Sequence, residues 1–235
     1  MRLLVSVRDV DEARLAVAAG ADIVDVKEPT DGTLAPASPA VLAAIAAAVP
    51  ADVPLGVALG EPADLASLSA LLAARAATLG GRPVYVKFVP SGNGARGCVS
   101  LVRELLPDAM VVVAGYADAC GTPAARRDFL RDACAAGADG ALLDTRSKSL
   151  GLLQVVPEAE LGALIEESRA RGAFLALAGS LDGPALARLA LLGADVAGVR
   201  GAACEGGRAG ALSAARVAAL LRAARQAPRA TAAPA

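Results

Sequence analysis

Short β-rich runs alternate with Ala/Leu-rich helical stretches eight times within the first 226 residues, and no other feature constrains the fold as tightly. The strand-like runs are Leu3–Val7, Ile23–Lys27, Leu55–Leu59, Val84–Val89, Met110–Ala114, Gly140–Asp144, Phe174–Leu177 and Val196–Val199. Helical patterns follow over Val10–Ala19, Pro39–Val49, Ala63–Leu79, Ala95–Leu106, Pro123–Ala136, Pro157–Arg171, Leu181–Leu192 and Ser213–Gln226. Strands joined by helical crossovers run parallel and need cover on both faces, which leaves a closed barrel or a doubly wound open sheet. No Gly-x-Gly-x-x-Gly follows the first strand, and eight units is the count of a barrel. The expected class is α/β: a single (β/α)8 TIM barrel over residues 1–226, followed by a Pro-containing disordered tail over 227–235.

An internal echo fits that scheme. Gly20-Ala21-Asp22, Gly137-Ala138-Asp139 and Gly193-Ala194-Asp195 each join a helix end to a strand. As a pattern this needs to be no more than a generic helix-to-strand turn with a glycine cap.

Composition removes whole classes of chemistry. With no histidine, there is no Ser–His triad, Cys–His dyad, imidazole base or His metal ligand. Cys98, Cys120, Cys134 and Cys204 show no CxxC spacing, so neither a thiolate zinc site nor a secreted disulfide framework is expected. No metal and no cofactor are called for. A net charge of −1 and 2% aromatic residues offer neither an electrostatic footprint nor stacking platforms for nucleic acid. The opening Met1–Val7 is too short for a signal peptide, and the uncharged run from Gly32 to Ala51 is broken by Pro36, Pro39 and Pro50. A soluble, cytoplasmic protein is expected, with Ala-rich helices compatible with self-association.

The chain carries 20 Arg but only 3 Lys, so the surviving lysines stand where guanidinium cannot replace an amine that must lose its proton or form an imine. Lys27 ends the second strand, Lys87 lies late in the fourth, and Lys148 follows the sixth by four residues. Barrel active sites lie at those strand ends. Asp144 closes strand six among apolar residues and could orient a lysine or move a proton. Asp25 is two residues before Lys27 and so faces the same side of its strand. For all of these the plainer reading is a buried ion pair without chemistry. Asp9 and Asp118 are weaker candidates, and Asp9 suits a helix cap.

Turns after strands seven and eight, Gly179-Ser180 and Arg200-Gly201-Ala202, sit where barrels bind phosphate through backbone N–H groups. Arg200 adds charge-assisted hydrogen bonds if it points upward, whereas Arg208, in the same Gly-rich loop, reads as solvated. Tyr116 offers a hydroxyl to a substrate oxygen or simply packs at the rim. Amines, carboxylates and a phosphate cradle together suit imine or carbanion chemistry on a phosphorylated aldehyde or ketone, that is, a phosphosugar aldolase-like lyase. A phosphosugar-binding barrel without catalysis is the rival reading.

Five segments carry a closer likeness: Asp22–Pro29, Val113–Ala119, Leu142–Thr145, Ala176–Ser180 and Gly198–Cys204. Together they resemble the (5-formylfuran-3-yl)methyl phosphate synthases, the likeness running from residue 3 to about 222. The resemblance implies a barrel lyase that joins two glyceraldehyde 3-phosphate molecules, with loss of phosphate and water, to the furan precursor of methanofuran-type one-carbon carriers. It implies Lys27 as the Schiff-base lysine, Lys87 as proton acceptor, Asp144 as an aid to proton transfer and Lys148 near a substrate phosphate. The loop after the lysine strand, Gly32-Thr33-Leu34-Ala35-Pro36, departs from the family's Gly-Ser-Leu-Gly-Ala pattern.

Overall fold

The computed structural model describes residues 1–90, 94–147 and 149–225. Eight parallel strands, β1 (Arg2–Val7), β2 (Ile23–Val26), β3 (Leu55–Ala58), β4 (Val84–Phe88), β5 (Met110–Tyr116), β6 (Gly140–Asp144), β7 (Phe174–Leu177) and β8 (Val196–Val199), close into one barrel in chain order. It is a (β/α)8 TIM barrel. The strands are buried on both faces, as strands walled by helices outside and side chains inside must be.

Around the barrel run α1 (Val10–Ala18), α2 (Pro39–Ala48), α3 (Leu65–Leu79), α4 (Gly94–Leu105), the short α5 (Ala117–Cys120), α6 (Pro123–Ala135), the short α7 (Leu152–Val155), α8 (Glu158–Ala170), α9 (Gly183–Leu191) and α10 (Ala214–Arg225). Asp9, Ser38, Asp64, Thr122 and Asp182 cap α1, α2, α3, α6 and α9, each accepting a backbone N–H of the first turn. Asp64 accounts for α3 starting at Leu65 rather than at Ala63. Two more differences from the sequence reading matter for the site. β5 runs two residues further, to Tyr116, because its end pairs with Asp144 of β6, and α5 and α7 fold inside loops after β5 and β6. The expected tail, 227–235, lies outside the described residues.

The Gly-Ala-Asp echo does more than turn the chain. In all three copies the glycine takes a left-handed φ (90°, 86° and 79° at Gly20, Gly137 and Gly193). Paired N–H bonds then close the preceding helix: Gly20 N to Val17 O and Ala21 N to Ala16 O, with the same spacing at Gly137 and Gly193. The aspartate that follows caps the start of a neighbouring strand. Asp22 accepts from Leu3 N at 2.8 Å, Asp139 from Val111 N at 2.6 Å and Asp195 from Leu175 N at 3.4 Å. An arginine from the adjoining helix completes each copy: Arg225 on Asp22, Arg103 on Asp139 and Arg169 on Asp195. Each of these arginines also donates to the glycine carbonyl of the same motif. The N-terminal face of the barrel is thus fastened three times by one device.

Removing one fastener leaves a half-buried strand N–H unsatisfied. Asp139→Ala is expected to lower the free energy of urea unfolding by about 1–3 kcal/mol. Asp11→Ala, which removes only the solvent-exposed pair with Arg14, should change it by less than about 0.5 kcal/mol.

Candidate active site

Inside the barrel, side chains from alternating strand positions stack in layers. Leu4, Ile23, Val112 and Val196 belong to a filled apolar floor. One layer up, the register sets Ser6 beside Asp25, Asp25 beside Gly56, and Ala58 beside Lys87. Asp25 is fully buried and both its oxygens are used: Oδ2 accepts from Ser6 Oγ at 2.9 Å and Oδ1 from Lys87 Nζ at 2.5 Å. Gly56 makes the room, since a Cβ there would come within 2.5 Å of Asp25 Oδ1. Burial by itself pushes the Asp25 carboxyl up. The charges of Lys87 and then Lys27, with the Lys87 and Ser6 hydrogen bonds, outweigh it and hold the group below the usual carboxylate range.

Lys27 follows the last residue of β2 and turns into the same cavity, 8% exposed. Its Nζ donates to Thr33 O at 3.1 Å, in the loop between β2 and α2. Among the described residues it has no carboxylate within ion-pair distance, because Lys87 has taken Asp25. Burial therefore brings its pKa down to about 8, against the opposing pull of Asp25 and Asp144. Asp144 ends β6, is 3% exposed and lines the cavity opposite, its Oδ1 accepting from Thr145 N at 2.7 Å.

The cavity measures about 330 Å³, room for a small metabolite. Its upper wall is formed by the turns after β7 and β8. Gly179 and Ser180 both have left-handed backbones, with φ of 119° and 50°. The N–H groups of Gly179, Ser180, Gly201 and Ala202 donate to no carbonyl among the described residues, and all four residues line the cavity.

The structure brings Lys27, Lys87, Asp25, Asp144, Gly179, Ser180, Gly201 and Ala202 together around one cavity. It corrects two expectations. Arg200 does not point its guanidinium at an anion: Nε donates to Arg208 O, Nη1 to Ser6 O and Glu12 Oε2, and Nη2 to Glu12 Oε1 and Gly210 O. All five hydrogens are committed, so Arg200 fastens the loop after β8 to β1 and α1. Tyr116 gives its hydroxyl to Glu61 at 2.9 Å under the stacked guanidinium of Arg146, and burial with Glu61 raises its pKa. It packs at the rim. Asp9 serves as the α1 cap, and Asp118 holds the loop after β6 by accepting from Arg146 N and Ser147 N. Lys148 lies outside the described residues.

Sequence reasoning missed Ser6 and Glu12. Ser6 was visible as the polar residue at an inward position two after Leu4, whereas nothing local marks Glu12, whose partner lies at the other end of the chain. It also misjudged Arg208, which leaves solvent to line the cavity.

A lysine whose folded pKa lies below its unfolded value binds fewer protons in the folded protein between the two. Stability contributed by Lys27 therefore rises as pH climbs from about 8 towards 10.5. In urea titrations across that window, wild type should gain on the order of 3 kcal/mol relative to Lys27→Met. A constant difference between the two proteins would mean that Lys27 titrates like a solvated amine.

The family model described as 4-HFC-P synthase matches residues 3–221. A relative from Streptomyces griseus is 39% identical over 223 residues, covering 88% of this chain and 87% of its own. The (5-formylfuran-3-yl)methyl phosphate synthase of Methanocaldococcus jannaschii is 35% identical over 215 residues, covering 88% and 92%. Among solved structures, phosphoribosyl anthranilate isomerase from Thermus thermophilus superposes with a TM-score of 0.65 at 18% identity, over 95% of this chain and 98% of that one, a likeness of fold alone. With the family model spanning the barrel and relatives above one-third identity along most of its length, the chain belongs to the 4-HFC-P synthase family.

Proposed function

We propose that the protein is a Schiff-base lyase that condenses two molecules of glyceraldehyde 3-phosphate into (5-formylfuran-3-yl)methyl phosphate. The observation that carries the reading is Lys27, a buried amine with a pKa of about 8 in a cavity walled by carboxylates and free backbone N–H donors. Near neutral pH a sizeable minority of such an amine, roughly a tenth at pH 7, is uncharged and nucleophilic.

Neutral Lys27 Nζ attacks the aldehyde carbon of one substrate, and loss of water gives a protonated imine. That imine withdraws electrons from the neighbouring carbon and acidifies its C–H bond. The family resemblance assigns the acceptance of that proton to Lys87, whose Nζ is held at 2.5 Å by Asp25. The electron pair left on carbon forms the new C–C bond to the second aldehyde carbonyl. Ring closure with loss of one phosphate and two further waters yields the aromatic furan, and hydrolysis returns Lys27. Counting the water of that hydrolysis, two trioses become one furan phosphate, one phosphate and two waters. Asp144, facing Lys27, is placed to move protons on and off the departing oxygens. Lys148 is assigned near a substrate phosphate by the family resemblance alone. The reaction class is carbon–oxygen lyase, and the furan is a building block for methanofuran-type one-carbon carriers.

Purified protein with glyceraldehyde 3-phosphate alone should develop furan-aldehyde absorbance, a product of the expected mass and free phosphate. Lys27→Ala should abolish all three, and Lys87→Ala should slow turnover by about 100- to 10,000-fold. A borohydride-trapped adduct on Lys27 without furan would redirect the assignment to another phosphosugar aldolase. Neither signal from folded protein would leave a binding barrel.

A further inference from the structure

Two arginines line the upper wall of the cavity, and they differ in what they have left to give. Arg200 has every guanidinium hydrogen committed and is neutralised by Glu12. Arg208 has no carboxylate within ion-pair distance among the described residues. It reaches from the loop after β8 to the loop after β2, where Nε donates to Pro29 O at 3.0 Å and Nη2 to Gly32 O. Both hydrogens of Nη1 and one of Nη2 donate to nothing among the described residues. Burial lowers its pKa, against the opposing pull of Asp144, which is too distant for an ion pair. A half-buried cation without a directly paired carboxylate is costly, and an anion entering the cavity relieves that cost. Its backbone lies against the Gly201 turn, where a Cβ on Gly201 would stand 3.7 Å from Arg208 N. Arg208 and the four residues with free N–H groups line the same cavity.

We propose that Arg208 selects for a phosphorylated substrate, adding full charge and forked hydrogen bonds to a phosphate held by the backbone N–H groups of Gly179, Ser180, Gly201 and Ala202. The inference rests on the phosphate part of the functional reading and not on the imine. The carbonyls of Pro29 and Gly32 hold the guanidinium in place before the anion arrives, so little side-chain freedom is lost on binding.

Calorimetric titration of the full-length protein with inorganic phosphate at constant ionic strength tests this without any chemistry at Lys27. Wild type should bind, Arg208→Gln should bind roughly tenfold to a hundredfold more weakly, and Arg208→Lys should fall between them. Arg14→Gln, the same charge change on exposed α1, should match wild type. No binding by wild type, or equal binding by Arg208→Gln, overturns the proposal. Borohydride trapping on Lys27 then separates recognition from loop damage. Preference for glyceraldehyde 3-phosphate over glyceraldehyde should fall at least about tenfold in Arg208→Gln, whereas equal loss on both aldehydes would make Arg208 merely structural. Wild type that makes furan while Arg208→Gln keeps its phosphate affinity sinks this inference alone. Wild type that binds phosphate through Arg208 but makes no furan sinks the synthase reading alone.

Discussion

Asp25 has no contact with solvent, yet it carries a charge, and the upper half of the barrel is arranged around that fact. One oxygen is taken by Ser6 from β1 and the other by Lys87 from β4, while β3 contributes a glycine because nothing larger fits beside the carboxylate. Breaking such a buried pair by removing one partner is far more costly than never having formed it. The pairing also decides the state of the second lysine. With Asp25 saturated, Lys27 is left with the neutral carbonyl of Thr33, and burial lowers its pKa without a close counter-charge to restore it. The difference between the two lysines thus follows from which of them is paired with the carboxylate.

The division between lysine and arginine runs through the whole molecule. Arginine stays charged whatever surrounds it and offers five donors in a fixed plane, so it fastens. Arg103, Arg169 and Arg225 tie helices to strand starts on the N-terminal face, Arg75 and Arg82 reach back to carbonyls around α2, and Arg200 closes the seam at β1. Both described lysines lie inside the barrel at the opposite end, where an amine can exist in two protonation states. Arginine therefore fastens at both ends of the barrel, whereas the two described lysines stand only inside it.

That division explains what the sequence could and could not tell. Period, turn chemistry and the scarcity of lysine made the barrel, its strands and the Lys27, Lys87, Asp25, Asp144 group legible, since each depends on local pattern or strand parity. The directions of Arg200 and Arg208 were not legible: Arg200 is tied to Glu12, and Arg208 lines the cavity rather than standing in solvent. Both sit in one Gly-rich loop after β8, and their directions are set by Glu12, Pro29 and Gly32, far away in the chain. Tyr116 was misplaced for the same reason, its hydroxyl being claimed by Glu61 from the loop after β3. Side-chain direction in a loop is decided by tertiary partners, and no window of neighbouring residues contains them.

The Arg200–Glu12 pair joins residues separated by 188 positions. Contacts of that span carry the largest loop-closure penalty and reward it only when the intervening chain is already ordered. The seam between β8 and β1 joins the two ends of the chain and places one wall of the cavity. Burial of Lys27, the cause of its lowered pKa, requires that the ring be closed around it. The lowered pKa of Lys27 is thus a property of the closed barrel and not of β2 alone, since residues from both ends of the chain wall its cavity.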